Sequence, residues 1–305
     1  MTRKFYKAEK RIWYHPSVLQ LMDEAGNSGS PEQVIIGKAK KVVEYALAQG
    51  WTGPPFDPSL LTSLLGIRQV QIDGIEAEAQ IVPVNGQFEL MFRRDVADKR
   101  LNFTLCHEVA HTLFPDCAGM IRFRNANRGR FDPDREVEFL CDIGAAEFLL
   151  PAPYFEDELK QNGISLKAVE TLSTRFNASR EAIIRRIPST NLEPCAVVYL
   201  GLGLNKKEAI SQNNPLLPFD ESEVTRPKPR LRIRKVHAST GFTVFLPTNK
   251  SIPDESVLYN LLSGQEYVST SETWEIAGFG TRTIEAVRLY NLVRSDRLGI
   301  LALVH

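Results

Sequence analysis

Two histidines and a glutamate in the stretch LNFTLCHEVAHTLFP, residues 101–115, are the residues in this sequence best spaced for chemistry. His107 and His111 are four residues apart, so on a helix they share one face and can direct two imidazole nitrogens at one Zn²⁺ ion. Glu108 is rotated about 100° from His107 and can reach a metal-bound water without binding the metal. Because zinc lowers the pKa of that water to about 7, Glu108 can accept its proton as a general base. The pattern predicts a hydrolytic metal site.

Chance is the competing explanation for so short a motif, since roughly one chain in a hundred of this length would contain it by accident. The surrounding residues favour a metal site. The predicted helix is otherwise apolar, with Phe103, Leu105 and Val109 among its side chains, so the histidines are expected to be partly buried and to need polar partners. Carboxylates that could supply a third ligand follow in the next predicted helix.

The third ligand of a catalytic zinc ion is sought among these downstream acids, because such a site needs three protein ligands and an open position. Glu138 and Asp142 are four residues apart and share a helix face. Glu138 is predicted to bind the metal, while Asp142 accepts the far N–H of a ligating histidine. The other acids are not expected to bind the metal. Asp116 follows Pro115 too closely to fold back onto the helix face, and Glu147 points away. The remaining acids cap the second helix or fill its first turn: Asp132, Asp134 and Glu136.

Cysteine is the other metal-binding residue type in this region. The four cysteines of the chain form no CxxC pair, and we expect reduced, mostly buried thiols of a cytoplasmic protein. Cys106 faces a different side from His107, whereas Cys117 stays open as an alternative third ligand. A His-His-Cys set would be unusual for peptide hydrolysis.

The composition sets the class of protein. The chain has 305 residues, 43% of them hydrophobic and 24% charged, with a formal net charge of zero. That balance is ordinary for a soluble globular protein and does not favour a nucleic-acid or membrane partner. The start of the chain has no signal-peptide pattern, and no apolar run reaches the ~18 residues of a membrane helix. We expect a cytoplasmic protein, with a monomer favoured.

Two long helices must position the metal-binding residues. The first is predicted from Asp98 to Phe114, ended by Pro115; the second begins at an Asp132 cap and ends near Leu150. Ahead of them, residues 79–92 read as two alternating strands joined by Asn85-Gly86, a strong hairpin signal. Pro83 lies in the first of these strands and predicts that this strand lies at a sheet edge or presents that face outward.

The remainder of the chain predicts further segments. Residues 164–187 read as two short helices joined at Asn177, with Ser179 capping the second, which resembles a helix-turn-helix. Strand-like runs follow from about residue 190: CAVVYLGL, RLRIRKV, FTVFLP and EAVRLYNLVRSDRLGILALV. One helix interrupts them, capped by Asp254 and closed by Gly264. The predicted segments are an N-terminal segment (1–30), a metallopeptidase domain (31–157), a helix-turn-helix-like domain (158–190) and a β-rich C-terminal domain (191–305).

The motif LNFTLCHEVAHTLF, followed by VEFLCDIGAAEFLLP, resembles the ImmA/IrrE family of bacterial metallopeptidases, also described as DUF955 proteins. The resemblance is specific over residues 30–155. It implies an α+β, gluzincin-like fold with a small antiparallel sheet and two zinc-site helices. It also places His107, His111 and Glu138 in the ligand positions and Glu108 in the general-base position.

One departure from the family pattern lies in the second helix, where Leu140 and Cys141 stand at positions that many members fill with Glu and Ala. Glu138 is then the ligand candidate of that turn. Characterised members cut helix-turn-helix repressors of the Xre type and release genes for stress response or mobile-element transfer. The resemblance therefore implies a site-specific endopeptidase with one Zn²⁺, or Mn²⁺ as the alternative metal, and a protein substrate.

Two rival interpretations stay open. The helix-turn-helix-like region predicts a DNA-binding transcriptional regulator whose zinc site is structural or inactive, although Arg180, Arg185 and Arg186 make only a modest basic balance beside Glu181. The C-terminal strands could instead form a GAF-like or PAS-like domain that senses a ligand and gates the peptidase.

Further residues are candidates for handling the substrate. Tyr154, just past the second helix, and His237, in a basic strand, are alternative stabilisers of the oxyanion. The hairpin at 79–92 could take an extended substrate by strand addition. The loop at 117–131 carries four arginines that could meet an acidic partner: Arg122, Arg124, Arg128 and Arg130.

Overall fold

The structure is a computed structural model that describes residues 12–73, 75, 77–117, 135–213, 227–289 and 299–305. Over these residues the architecture is α+β, as predicted. The helices are α1 (Pro16–Glu24), α2 (Pro31–Ala48), α3 (Pro58–Leu64), α4 (Asp98–His111), α5 (Arg135–Leu149), α6 (Ala152–Asn162), α7 (Leu166–Arg175), α8 (Arg180–Thr190) and α9 (Lys206–Asn213). The strands are β1 (Arg68–Gln71), β2 (Ala79–Val84), β3 (Gln87–Phe92), β4 (Ala196–Gly203), β5 (Arg230–Ala238), β6 (Tyr267–Thr273), β7 (Thr281–Leu289) and β8 (Gly299–Val304).

The chain divides into two compact units. The first comprises Met1–Asp157 and Leu172–Ala182, and the second comprises Glu158–Thr171 and Ile183–His305. Both α4 and α5, which carry the predicted metal-binding residues, belong to the first unit. No helix among the described residues has the length and apolar character needed to cross a bilayer.

The sheet of the first unit has three strands in the order β1-β3-β2. Strands β2 and β3 form the predicted antiparallel hairpin, and Asn85 and Gly86 turn it with φ values of 50° and 80°, as a two-residue primed turn requires. β2 is an edge strand, so the prediction from Pro83 is confirmed. The expectation of an antiparallel sheet is wrong in one respect: β1, at the edge opposite β2, pairs with β3 in parallel.

Helices α4 and α5 pack directly against each other, and α5 also packs against α2. Gly144 of α5 makes this approach possible, since a Cβ atom there would lie 2.9 Å from the Cβ of Ala110 on α4. The facing side chains of the two helices are therefore brought within reach of one another across a close contact.

The end of α4 differs from the prediction. The helix ends at His111 rather than Phe114, and the following N–H groups bond three residues back, including Phe114 to the carbonyl of His111 at 3.2 Å. Pro115 disfavours the α conformation in the residue before it, which accounts for the tighter turn. Lys38 of α2 donates to the carbonyl of Leu113 at 3.0 Å and holds this end against the core. The predicted cap of α5 at Asp132 and the four loop arginines lie outside the described residues.

Helices α7 and α8 form at the positions predicted for the helix-turn-helix-like region. Asn177 turns the chain between them with a φ of 48°, and the Ser179 hydroxyl accepts from the N–H of Ala182 at 3.1 Å as an N-cap. The two compact units divide this segment between them, and the domain limits drawn from the sequence stay a prediction.

The second unit is built on an antiparallel sheet of five strands in the order β5-β4-β8-β7-β6. Alternate residues of these strands form the core on one face, for example Val198, Ile284 and Ala302. The run FTVFLP, expected to be a strand, pairs with no strand in the described residues. It instead packs Phe242 and Leu246 into the core and leaves Phe245 exposed.

The helix predicted between Asp254 and Gly264 is also corrected. It is a short 3-10 helix, Val257–Leu261, capped by Ser256, whose hydroxyl accepts from the N–H of Leu258 at 3.2 Å. Asp254 does not cap it, because its carboxylate forms an ion pair with Arg230 at 2.7 Å.

Candidate active site

The two imidazoles predicted to bind a metal converge on one carboxylate. The Nε2 atom of His107 lies 3.0 Å from Oε2 of Glu138, and the Nε2 atom of His111 lies 3.8 Å from Oε1 of the same side chain. The ring centroids of the two histidines are 5.1 Å apart. The helix pair therefore brings together the three side chains that the motif spacing and the family resemblance selected.

The far nitrogens of both imidazoles face partners on α5. The Nδ1 atom of His107 lies 3.1 Å from Oδ1 of Asp142, the contact expected from the spacing of Glu138 and Asp142. The Nδ1 atom of His111 lies 3.1 Å from Sγ of Cys141. Each ring thus has its Nε2 atom towards the shared carboxylate and its Nδ1 atom towards a second side chain, which orients the ring.

Cys141 is a functional candidate that the sequence reasoning missed. One ligand atom from each of His107, His111 and Cys141 lies within 4.8 Å of the others, so the thiol competes with Glu138 on proximity alone. The sequence contained a clue to Cys141, because this residue follows Glu138 by three positions and shares its helix face. The sequence pattern indicated only Cys117 as an alternative cysteine ligand. Burial raises the pKa of the Cys106 thiol, which favours a neutral side chain there.

The chemistry of these side chains fits a zinc ion. Imidazole, carboxylate and thiolate are its usual ligands in proteins. Glu138 approaches the Nε2 atoms of both histidines, whereas Cys141 approaches the opposite ring nitrogen of His111. For a metal bound through the two Nε2 atoms, the Glu138 carboxylate would therefore lie on the same side of the His111 ring, and the Cys141 sulfur on the opposite side.

Glu108 is buried beside this group and is held by the neighbouring strand. Its Oε2 atom accepts the backbone N–H of Ile81 at 2.9 Å. Ile81 belongs to the edge strand β2, and this N–H points away from β3. The strand therefore orients the carboxylate that the motif selects as a general base.

The acids set aside by the sequence analysis have contacts elsewhere. Asp116 accepts from the Ser17 hydroxyl at 2.6 Å, and Glu136 accepts the backbone N–H groups of Tyr14 and His15, each at 2.9 Å. The two Glu136 contacts tie the segment before α1 to the start of α5. Glu147 is buried within α5, only 3% exposed.

The two alternative oxyanion stabilisers lie in different units. Tyr154 is on α6 in the first unit, with its ring edge-on to Phe56 at 5.0 Å. His237 is on β5 in the second unit, with its ring against Tyr199 at 6.0 Å. Burial, helped by the charge of Lys235, lowers the pKa of His237 to about 4, so this imidazole is neutral at pH 7. The oxyanion role of each stays a prediction.

Comparison with known proteins finds a family match over the region that contains α4 and α5. Residues 90–188 match the model of the Peptidase M78 family, described as the IrrE N-terminal-like domain. A protein of Deinococcus deserti named radiation response metalloprotease IrrE is 27% identical over 237 residues, which cover 74% of this chain and 75% of that protein. Residues 90–188 therefore form a domain of the ImmA/IrrE family.

A second ImmA/IrrE relative and one solved structure extend the comparison. The radiation response metalloprotease IrrE of Deinococcus radiodurans is 23% identical over 170 residues, covering 55% of this chain and about half (49%) of that protein. A solved structure of a Mycobacterium tuberculosis transcriptional regulator is similar with a TM-score of 0.54 and 14% identity, covering 94% of this chain and 80% of that one. At this identity the likeness shows the fold alone. The resemblance to the ImmA/IrrE family inferred from the motifs is confirmed.

Proposed function

We propose that this ImmA/IrrE protein is a zinc-dependent, site-specific endopeptidase. The observation that carries the proposal is the position of Glu138, whose carboxylate oxygens lie 3.0 and 3.8 Å from the Nε2 atoms of His107 and His111. Two imidazoles and one carboxylate are the ligand set of zinc peptidases that leave a coordination position open. Membership of a metallopeptidase family supports the same assignment.

Glu108 acts as the proton carrier in this proposal. When bound, Zn²⁺ supplies a Lewis acid and a water whose pKa is lowered to about 7. The carboxylate of Glu108 accepts a proton from the attacking water and passes it to the leaving nitrogen of the peptide bond. The Ile81 N–H holds one carboxylate oxygen, which restricts the rotation of Glu108. Asp142 accepts the Nδ1 proton of His107 and so leaves the Nε2 lone pair of that ring for the metal.

The substrate is proposed to be a protein, specifically an Xre-type repressor that binds in an extended conformation. The edge strand β2 presents the backbone of Ala79, Ile81 and Pro83 away from β3. The Ile81 N–H is engaged by Glu108 and Pro83 has none, so this edge offers mainly carbonyl acceptors. A substrate added at β2 would have to supply the N–H donors.

The test uses the purified chain, loaded with Zn²⁺ or with Mn²⁺, and an Xre-type repressor as the substrate. Cleavage at one peptide bond, read by mass spectrometry of the products, is expected. Glu108→Gln should keep the metal and lose cleavage, while His111→Ala should lose both. Normal cleavage by the Glu108→Gln variant would contradict the mechanism.

A DNA-binding regulator is the second candidate, favoured by the capped turn between α7 and α8. Part of α8 argues against it, because Ile183, Ile187 and Arg186 are buried, with Arg186 only 6% exposed. A buried arginine cannot contribute to the positive stripe of a DNA-reading helix. Fluorescence anisotropy with duplex DNA at two salt concentrations separates the candidates: sequence-preferring, salt-sensitive binding without proteolysis supports the regulator.

The C-terminal sheet is proposed to form a GAF-like sensor domain that gates the peptidase. We also propose that the protein is cytoplasmic and monomeric. Five antiparallel strands among the described residues, with a hydrophobic core on one face, support a separately folded domain. Light scattering of the purified chain measures the oligomeric state directly.

A further inference from the structure

Cys141 occupies a defined place beside His111. Its Sγ atom lies 3.1 Å from Nδ1 of His111, and both side chains are buried, with exposures of 0% for Cys141 and 2% for His111. A buried imidazole N–H needs an acceptor, and a thiol sulfur is a weak one. Whichever of the two groups donates, the contact couples the tautomer of His111 to Cys141.

The Nε2 side of the same ring faces the proposed metal position. Because Nε2 lies 3.8 Å from Glu138 on the side shared with His107, that nitrogen is the one suited to bind a cation. The proton must then be on Nδ1, where it points at Cys141. A sulfur on the Nδ1 side cannot at the same time bond a metal held at Nε2, because a zinc–sulfur bond is only about 2.3 Å long.

We propose that Cys141 is a positioning residue for His111 rather than a metal ligand. It accepts the Nδ1 proton and fixes the tautomer and orientation of the ring, as Asp142 does for His107. The inference rests on the proposed metal site and adds to it the role of a side chain that proximity alone would count as a ligand.

A consequence is that the two histidines are held unequally. His107 donates to a carboxylate, which accepts strongly, whereas His111 donates to sulfur, which accepts weakly. His111 is therefore the less firmly held ligand. Removing the sulfur should weaken metal binding without removing a bond to the metal.

The experiment compares metal binding by Cys141→Ala, Cys141→Ser and the matched control Cys106→Ala, all in the full chain. Cys106 is also a buried thiol, 1% exposed, but on α4. Zinc affinity is measured by competition with a chromophoric chelator, and Co²⁺ binding by absorption spectroscopy. Thermal unfolding of each variant shows that it is folded.

The expected result for Cys141→Ala is a zinc affinity roughly 10- to 100-fold weaker, the usual effect of losing a partner of a ligating histidine. Cys141→Ser, whose hydroxyl can accept the same proton, should regain most of that affinity, and Cys106→Ala should leave it unchanged. The Co²⁺ spectrum of the unsubstituted protein should contain no thiolate-to-cobalt charge-transfer band.

Two results would overturn the inference while leaving the metal site standing. A thiolate-to-cobalt band that disappears in Cys141→Ala would make Cys141 a ligand. Equal zinc affinity of Cys141→Ala and the unsubstituted protein would remove its positioning role. Failure of the unsubstituted protein to bind zinc or cobalt more tightly than His111→Ala would instead contradict the proposed function itself.

Discussion

The backbone N–H of Ile81 donates a 2.9 Å hydrogen bond to Oε2 of Glu108, so an edge strand holds the proposed general base of the helix beside it. Ile81 is paired in register with Leu90 of β3, yet this N–H takes no part in the ladder. A backbone group of the sheet therefore serves the site, and it can be removed without breaking the pairing of β2 with β3.

Replacing Ile81 with proline removes that N–H and no ladder hydrogen bond between β2 and β3. A hydrogen bond to a charged group contributes about 1.5–3 kcal/mol, so kcat for cleavage of the repressor should fall roughly 10- to 100-fold. Zinc content, measured by atomic absorption, should not change, because no metal ligand is altered. Ile81→Ala is the control, since it loses the same buried side chain and keeps the N–H. Equal kcat values for the two variants would show that the hydrogen bond does not position Glu108.

Replacing Gly144 with alanine should force α4 and α5 apart. The added Cβ would lie 2.9 Å from Cβ of Ala110 and 3.1 Å from Cδ1 of Leu113, and such overpacking costs about 1–3 kcal/mol. Zinc affinity should also weaken, because the metal-binding side chains lie on the two separated helices. Gly37→Ala is the matched control: Gly37 is also helical and has open space around its Cβ position, so the change should stabilise by up to about 1 kcal/mol. Urea denaturation measures both, and a stable Gly144→Ala variant with unchanged zinc affinity would contradict the prediction.

Replacing Asp142 with alanine should weaken zinc binding more than the alanine substitution at Cys141. The Asp142 carboxylate lies 3.1 Å from Nδ1 of His107 and accepts more strongly than sulfur. Competition with a chelator, run on both variants side by side, measures their zinc affinities. The affinity of Asp142→Asn, which retains one acceptor oxygen, should lie between those of the unsubstituted protein and Asp142→Ala. The reverse order would show that charge at this position is not what holds His107.

His237 should make the stability of the second unit depend on pH. Burial lowers its pKa in the folded protein to about 4, and its Nε2 atom has no hydrogen-bond partner among the described residues. The unfolded chain, with a pKa of about 6.5, binds a proton that the folded chain does not. The contribution is therefore complete above about pH 6.5 and is lost as the pH falls towards 4. His237→Gln should reduce the loss of urea stability between pH 7 and pH 5, and an unchanged pH dependence would exclude His237 as its source.

The same His237→Gln variant distinguishes the two oxyanion candidates. If the histidine donates to the oxyanion, the kcat for repressor cleavage falls by roughly 100-fold or more. If Tyr154 has that role, the Tyr154→Phe variant shows the loss instead. Neither substitution removes a proposed metal ligand, so zinc content serves as the control for both.

Much of the sequence-based prediction rested on the spacing of residues that are close together in the chain. The four-residue interval of His107 and His111, the Asn85-Gly86 turn and the Ser179 cap each act within a few residues of chain, and the structure places them as predicted. Such features follow from helix periodicity and turn geometry, which a sequence states directly. The family resemblance placed Glu108 and Glu138 in the same general-base and ligand positions that the residue spacing had already predicted.

The contacts between elements were decided only by the tertiary structure. The parallel pairing of β1, the contact of Ile81 with Glu108 and the contact of Cys141 with His111 join residues 21 to 30 positions apart. They depend on how two helices and a strand pack, and here that packing depends on a glycine small enough for α4 and α5 to touch. The sequence determined which side chains could bind a metal, because residue type and helical spacing are local properties. Close packing decided which of these side chains come into contact and which ring nitrogen faces each partner. Packing depends on the whole structure at once, so it cannot be read from local spacing.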